Sequence, residues 1–554
     1  MLACLAVGTG CTSLAGKKTV WQQPCYAPPD PDGVRNWSLA LAEEHYAAAV
    51  QSESADCPNC VDLYYQAAIA SWPVLERELS KSGKTSVRSA ELHRSAVAKL
   101  LVTAQRFGRW DPCRGVAISS QCGTTLLRTT YQGFTWGPEE FQQLQPAGEY
   151  AAPSLSRAFR NGGLGVPLVV MRETACPQPF TQKERTFAAT AVLRPDETQA
   201  GYQLEFHDPL RESTTVVAEN LVPLAQDITA PFALASQGND RQWLSYFLVP
   251  GVAGDRDGLF MIEPYQPGKI PVVFIHGLLS DPATWIDVVN ELRAQPDLNN
   301  RFQWWAFRYA TGEPFLTSAA RLRRELVQLR QVYDPTHSDP ALSQTVLIGH
   351  SLGGLVAKLQ VTQSGDLLWR SAANQPLATV VTTPETRRNL QEVFFFQPSM
   401  AITRVVFIGT PHHGSPLARR PIGRIGSALV EPSEQSEARH SQLASDNPDL
   451  FRPELQLRFP TSIDLLEPES PLLAATREMP YSPMVSLHSV VGYGQYTWKG
   501  VPSDGIVPVP SARLFGVQSE RDVEAKHETL HRDPATITEL ARILRVHLCQ
   551  NGLF

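Results

Sequence analysis

The chain has 554 residues, more than the roughly 250–300 that one hydrophobic core supports, so two or three domains are expected. Its 43% apolar and 19% charged residues are a globular composition, and a formal charge of −6 with a pI near 6.1 excludes the basic footprint of a nucleic-acid binder. No run reaches the roughly 18 consecutive apolar residues that would cross a bilayer as a helix.

Residues 1–16 begin with small and apolar side chains and reach a cysteine at Cys11. They resemble the end of a bacterial lipoprotein signal, which implies export and a membrane surface reached through a lipid on Cys11. Two departures are visible: no Lys or Arg precedes the apolar run, and Gly8 stands where such signals usually carry Leu. Eight of the nine cysteines lie before residue 177. Cys57 with Cys60, and Cys113 with Cys122, are spaced for local disulfides or for free thiols. No second Cys-x-x-Cys and no His pair completes four ligands, so neither a metal nor a cofactor is expected.

Residues 17–35 hold Pro24, Pro28, Pro29 and Pro31 and read as an extended linker. Three helical patterns follow within 36–112, over Trp37–Val50, Val61–Leu79 and Ser89–Phe107, each with apolar residues near a 3.6-residue period. The first two form a hairpin that does not continue as a 34-residue repeat, so a small helical module is predicted. Between 113 and 254 the pattern turns to short strands punctuated by Pro, Gly and Asp: Pro167–Met171, Thr186–Leu193, Tyr202–Phe206, Thr215–Val217 and Trp243–Val249. Alternation in Tyr202–Phe206 predicts one wet face. This β-rich accessory region gathers no catalytic constellation.

From 255 to 554 strands and helices alternate. Lys269–Ile275 is an apolar strand followed by His276-Gly277-Leu278-Leu279, and Asp281 is placed to cap a helix reaching Leu292. Arg301–Tyr309 reads as a strand and Leu316–Val332 as an amphipathic helix. Val405–Ile408 ends in Gly409-Thr410-Pro411-His412-His413-Gly414-Ser415. Met484–Val491 is a strand ending before Gly492, and Pro534–Leu548 closes the chain as a helix. The alternation predicts a mostly parallel sheet with helices on both faces, whose chemistry gathers at the carboxyl ends of the strands. Residues 417–481 break the rhythm with a polar, proline-punctuated insertion. Its apolar clusters need a surface to cover, which predicts a partly helical lid.

The centre of this region is Thr345–Val356, read as strand, turn and helix around Gly349-His350-Ser351-Leu352-Gly353. A strand that reverses into a helix this sharply brings backbones close, so the glycines flanking Ser351 leave room where a Cβ would collide. The turn lifts the Ser351 hydroxyl clear of the sheet and aims the Leu352 N–H at an oxyanion forming beside it. A serine needs a base and a group that orients the base. Asp504, in Ser503-Asp504-Gly505, and His527, in Lys526-His527-Glu528, are the candidates. His531 is the rival base and Asp522 the rival acid. His412 and His413 read as loop histidines or pocket lining, and His350 as a packing residue.

Five segments, Phe274-Ile-His-Gly-Leu278, Gly349-His-Ser-Leu-Gly-Gly354, Gly409-Thr-Pro-His-His-Gly-Ser415, Ser503-Asp-Gly-Ile-Val-Pro508 and the one around His527, resemble those of the α/β-hydrolase superfamily. The likeness is to serine esterases and lipases of the GPI inositol-deacylase-like group, and it covers about 255–554. It implies an α/β class fold: a doubly wound, mostly parallel sheet with a lid, behind the helical module and the β-rich accessory region. It further implies that Ser351 attacks an ester carbonyl, His527 moves the proton and Asp504 holds the imidazole. The N–H groups of Leu278 and Leu352 would bind the oxyanion, and His276 would shape that loop. The expected substrate is an ester or lipid small molecule, cleaved through an acyl-enzyme. Acyl transfer to an alcohol by the same groups, and a non-catalytic scaffold carrying a relic hydrolase domain, stand as rivals.

Overall fold

The computed structural model describes residues 39–552 apart from 83–86, 121–122, 151–154, 175–178, 183, 198–199, 238–256, 279, 281, 312, 417–433, 453–454 and 456–459. The expected signal at 1–16, the linker at 17–35, the strand at 243–249, and Cys122 and Asp281 lie outside the described residues.

Three helices open the described chain: α1 (Leu39–Ser54), α2 (Cys60–Ser82) and α3 (Val87–Arg106). Seven strands follow: β1 (Trp110–Asp111), β2 (Gly115–Ser120), β3 (Gly123–Gln132), β4 (Gln143–Pro146), β5 (Val166–Glu173), β6 (Glu184–Pro195) and β7 (Tyr202–His207). They form one sheet in the order β1-β2-β3-β7-β6-β5-β4, antiparallel except for β3 beside β7. Tyr64, Val97, Leu100 and Leu101 of the helices share a single apolar core with Leu168, Phe187, Ala191 and Phe206 of the sheet. For this reason the predicted wet face of Tyr202–Phe206 is corrected: Leu204, Glu205, Phe206 and His207 are all buried, because both faces of β7 are covered. Glu205 tolerates burial by pairing with Arg194 at 2.9 Å. Cys57 and Cys60 are free thiols, not a disulfide.

A helix at Ala230–Gln237 (α4) precedes the second half, whose strands are β8 (Gly258–Met261), β9 (Ile270–Ile275), β10 (Phe302–Arg308), β11 (Thr345–His350), β12 (Ile402–Ile408), β13 (Ser486–Tyr493) and β14 (Ser519–Glu524). Their order is β8-β10-β9-β11-β12-β13-β14, with β8 antiparallel at one edge and every other pair parallel. Because helices cover both faces, the strands are continuous apolar runs rather than alternating ones. Val273, Ile275, Leu347 and Phe407 pack on one face with α6 (Phe315–Tyr333) and α7 (Leu352–Lys358). Val272, Phe274, Val346 and Ile408 pack on the other with α5 (Ile286–Arg293) and the last helix, Pro534–Gln550. Pro271 is tolerated in a central strand because pairing with β11 starts only at Val272. Connections leave β9 toward β10 on one side and β11 lies on the other, which opens a crevice above β9 and β11.

Two details differ from the sequence expectations. A 3₁₀ turn at Pro282–Trp285 precedes α5, and β13 begins at Ser486 and runs through Gly492, with Met484 exposed before it. The insertion at 417–481 is partly helical, with α8 (Glu434–Asp446), α9 (Ser462–Leu465) and α10 (Pro471–Glu478). It does not stand alone. A second insertion between β11 and β12 supplies Trp369, Ala373, Leu377 and Val380, which pack on Leu443 and Leu450 of the first.

Candidate active site

Ser351 follows β11 with φ +54° and ψ −123°, a backbone conformation that costs a non-glycine residue of order 1–3 kcal/mol and persists only where surroundings impose it. What imposes it is the close return of the chain. A Cβ on Gly349 would lie 2.5 Å from the Gly353 carbonyl oxygen, and one on Gly353 would run into the backbone at Ile275 and His276. The Ser351 N–H donates to the Ile408 carbonyl at 2.8 Å, which pins the turn to β12.

Asp504 sits on the loop beyond β13. Its Oδ1 accepts the N–H groups of Ile506 (3.0 Å) and Val507 (2.7 Å), and Gly505, at φ +101°, makes the turn that allows this. Its Oδ2 is left for His527, whose Nδ1–H donates to it at 2.7 Å, while His527 Nε2 lies 2.9 Å from Ser351 Oγ. The His527 N–H also donates to the Asp504 carbonyl at 3.0 Å. All three groups are buried, with 7%, 2% and 5% of Ser351, Asp504 and His527 exposed. Two further glycines make room: a Cβ on Gly409 would lie 3.3 Å from Asp504 Oδ2, and one on Gly492 would lie 2.7 Å from Asp504 Cβ. The structure thus brings Ser351, His527 and Asp504 into one hydrogen-bonded row in the crevice.

The rivals lie elsewhere. Asp522 is on edge strand β14, ion-paired with Arg513 at 2.9 Å. His531 Nε2 lies 3.0 Å from the Thr284 carbonyl. His412 is buried edge-on against Phe407, with neither ring nitrogen partnered among the described residues, and His413 is exposed.

Leu352 is the first residue of α7, so its N–H has no intrahelical acceptor. Leu278 is half-buried and follows Gly277, where a Cβ would lie 3.1 Å from Ser351 Cβ. The turn after β9 therefore rests on the serine. His276 fixes that turn: Nδ1–H donates to the Gly277 carbonyl at 2.9 Å, Nε2 accepts the Tyr309 N–H at 3.4 Å, and Tyr309 Oη–H donates to the His276 carbonyl at 2.8 Å. Burial pushes the His276 imidazole down to about 4, so it is neutral in this role. Sequence reasoning did not find Tyr309, Gly409 or Gly492. The strand-end position of Gly409 was the available signal.

Among the described residues no group of His, Cys, Asp and Glu is arranged to hold a metal ion. The deepest chemistry on offer is that of a hydroxyl, an imidazole and a carboxylate in series.

Residues 272–541 match the model of the alpha/beta hydrolase family. No curated protein matches the chain. Solved structures similar to it include a Bacillus licheniformis lipase in mature form, at 17% identity over 52% of this chain and 97% of that one, with a TM-score of 0.30. Staphylococcus hyicus lipase is similar at 12% identity, covering 52% of this chain and 97% of that one, with a TM-score of 0.30. Esterase B from Lactobacillus rhamnosis is similar at 13% identity, over 55% and 84%, with a TM-score of 0.30. With the family match over the parallel sheet and its strand-turn-helix at Ser351, the C-terminal half of the chain is an α/β-hydrolase domain.

Proposed function

We propose that the protein hydrolyses carboxylic esters, with Ser351 as nucleophile, His527 as general base and acid, and Asp504 as the group that orients the imidazole. The observation that carries this is the unbroken row from Ser351 Oγ to His527 Nε2 (2.9 Å) and from His527 Nδ1 to Asp504 Oδ2 (2.7 Å). Ser351 Oγ adds to the ester carbonyl carbon as its proton moves to Nε2. The tetrahedral oxyanion forms beside the N–H groups of Leu278 and Leu352, and collapses with the Nε2 proton leaving on the alcohol. Water then gives its proton to Nε2 and attacks the acyl-enzyme, and the carboxylic acid departs as Ser351 recovers its hydrogen.

Leu278 packs on the same apolar cluster as the insertion residues Leu465, Leu466, Leu472 and Leu473, which favours an apolar acyl group beneath a cap formed by the insertion. On its five motifs we place the domain with lipases and esterases of the GPI inositol-deacylase-like group. Anchoring at a membrane through a lipid on Cys11 belongs to the same proposal, and an acylated Cys11 in membrane-fractionated protein is its readout. Among the described residues no helix is long and apolar enough to cross a membrane.

The test is covalent labelling with a fluorophosphonate, together with release of p-nitrophenol from esters of graded chain length. Wild-type protein is expected to label and to turn over, and Ser351→Ala to do neither. Equal labelling of both proteins would remove Ser351 from its assigned place.

A further inference from the structure

One more histidine is buried against the base and another behind it, and the reaction as written uses neither. His350, the last residue of β11, lies with its ring 4.8 Å from that of His527 and 4.6 Å from that of His531. Its Nε2–H donates to the His527 carbonyl oxygen at 3.0 Å. Its Nδ1 has no hydrogen-bond partner among the described residues, and a Cβ on Gly277 would lie 3.2 Å from it. His350 is therefore wedged between the turn beside the serine and the backbone of the base. His531 backs it from the far side, with Nε2 2.6 Å from the Thr284 hydroxyl and 3.0 Å from the Thr284 carbonyl, and with its ring edge-on to Trp285 at 5.2 Å.

The hydrogen bonds of His527 to Asp504 and Ser351 both lie in the plane of its ring, so they resist sliding within that plane and leave tipping out of it weakly opposed. The bond to Ser351 also disappears once the serine is acylated, because an esterified Oγ has no proton to donate. From then until water attacks, Asp504 alone holds the ring by hydrogen bonding. A ring packed at a tilt of 38° against His527 and a bond to the base's own carbonyl are the restraints that persist through that interval.

We propose that His350, supported by His531, is a positioning residue that keeps the His527 imidazole aligned through the acyl-enzyme, so that it serves deacylation more than acylation. This rests on the ester-hydrolase function proposed above. Burial and the neighbouring His531, His527 and His276 hold His350 well below the ordinary histidine value, and burial brings His531 down to about 4. Both rings are thus neutral, and neither is placed to take the proton that Ser351 gives up. Simple space filling is the competing explanation, and a phenyl ring would satisfy it equally well.

The distinction is made by stopped-flow release of p-nitrophenol, which resolves the acylation burst from steady-state deacylation. His350→Phe keeps the ring volume and loses the donor. It is expected to slow deacylation about tenfold while acylation changes by less than about threefold, so kcat and KM fall together. His350→Gln, which retains an N–H donor, is expected to recover part of the loss. His531→Phe supplies a second measurement should the first variant fold poorly, and a smaller selective slowing of deacylation is expected. Equal slowing of both steps, no slowing of either, or no recovery in His350→Gln would overturn the proposal. Failure of the parent function is separately visible, since wild-type protein would then release no p-nitrophenol, or Ser351→Ala would release as much.

Discussion

A single buried carboxylate decides which way the His527 imidazole faces Ser351. Asp504 has one oxygen satisfied by the Ile506 and Val507 N–H groups, so its other oxygen is committed to His527 and selects the tautomer with hydrogen on Nδ1. Asp504→Asn keeps the volume and loses that selection. It is expected to lower kcat about 10³-fold or more with the melting temperature little changed, as steady-state kinetics and a thermal melt will show. Asp522→Asn, at an exposed ion pair with Arg513, is expected to leave kcat within about twofold. Ser351, Asp504 and His527, which the structure brings into one hydrogen-bonded row, were singled out in the sequence by a G-x-S-x-G turn between strand and helix and by the segments that follow it. Gly409 and Gly492 were not. The strand-end position of Gly409 is a local mark, but the need of both glycines for a bare Cα comes from Asp504 and Leu530, which lie on other elements.

Elements carry their own costs, and α7 shows one. Lys358 ends this helix with 1% of its surface exposed, and its ammonium has no hydrogen-bond or ion-pair partner among the described residues. Among the described residues, the face of Tyr481, with its centroid 5.6 Å from Nζ, is the contact that compensates the charge. Burial, with Arg477 adding repulsion, brings Lys358 from 10.5 down to about 8. Between those values the unfolded chain holds a proton that the folded chain has released, which lowers stability at pH 7 relative to pH 10. Lys358→Met is therefore expected to raise stability at pH 7 by about 1–4 kcal/mol. The gap to wild type should narrow as pH rises through 8 toward 10.5, as melts at pH 7 and 10 will show. A gap that widens with pH would contradict the sign.

At the scale of the whole molecule, the accessory half is joined to the hydrolase domain by buried polar contacts. Arg293 of α5 pairs with Glu263 at 2.9 Å, donates to the Ile228 carbonyl and lies 4.2 Å from the centre of the Phe232 ring. Asn290 of the same helix donates to the Arg157 carbonyl at 2.8 Å and accepts from the Thr229 hydroxyl at 3.1 Å. Arg293→Ala strips a buried carboxylate of its counter-charge and opens this seam. Calorimetry is expected to record a loss of about 3–5 kcal/mol, and Arg293→Met with Glu263→Gln, which removes both charges, should restore much of it.

The sequence by itself determined the five inner strands, several of the helices and the order of the chemical groups in the C-terminal half, because apolar runs, glycine turns and helix periods are local patterns that need no partner to be seen. It also placed a partly helical insertion after β12. Only the tertiary structure decided the rest. The pairing of two separate insertions through Trp369 and Leu443, the burial of both faces of Tyr202–His207, and the packing of His350 between His527 and His531 join residues far apart in the chain. Burial and close approach are properties of where segments meet, and no stretch read alone records which other stretch will cover it.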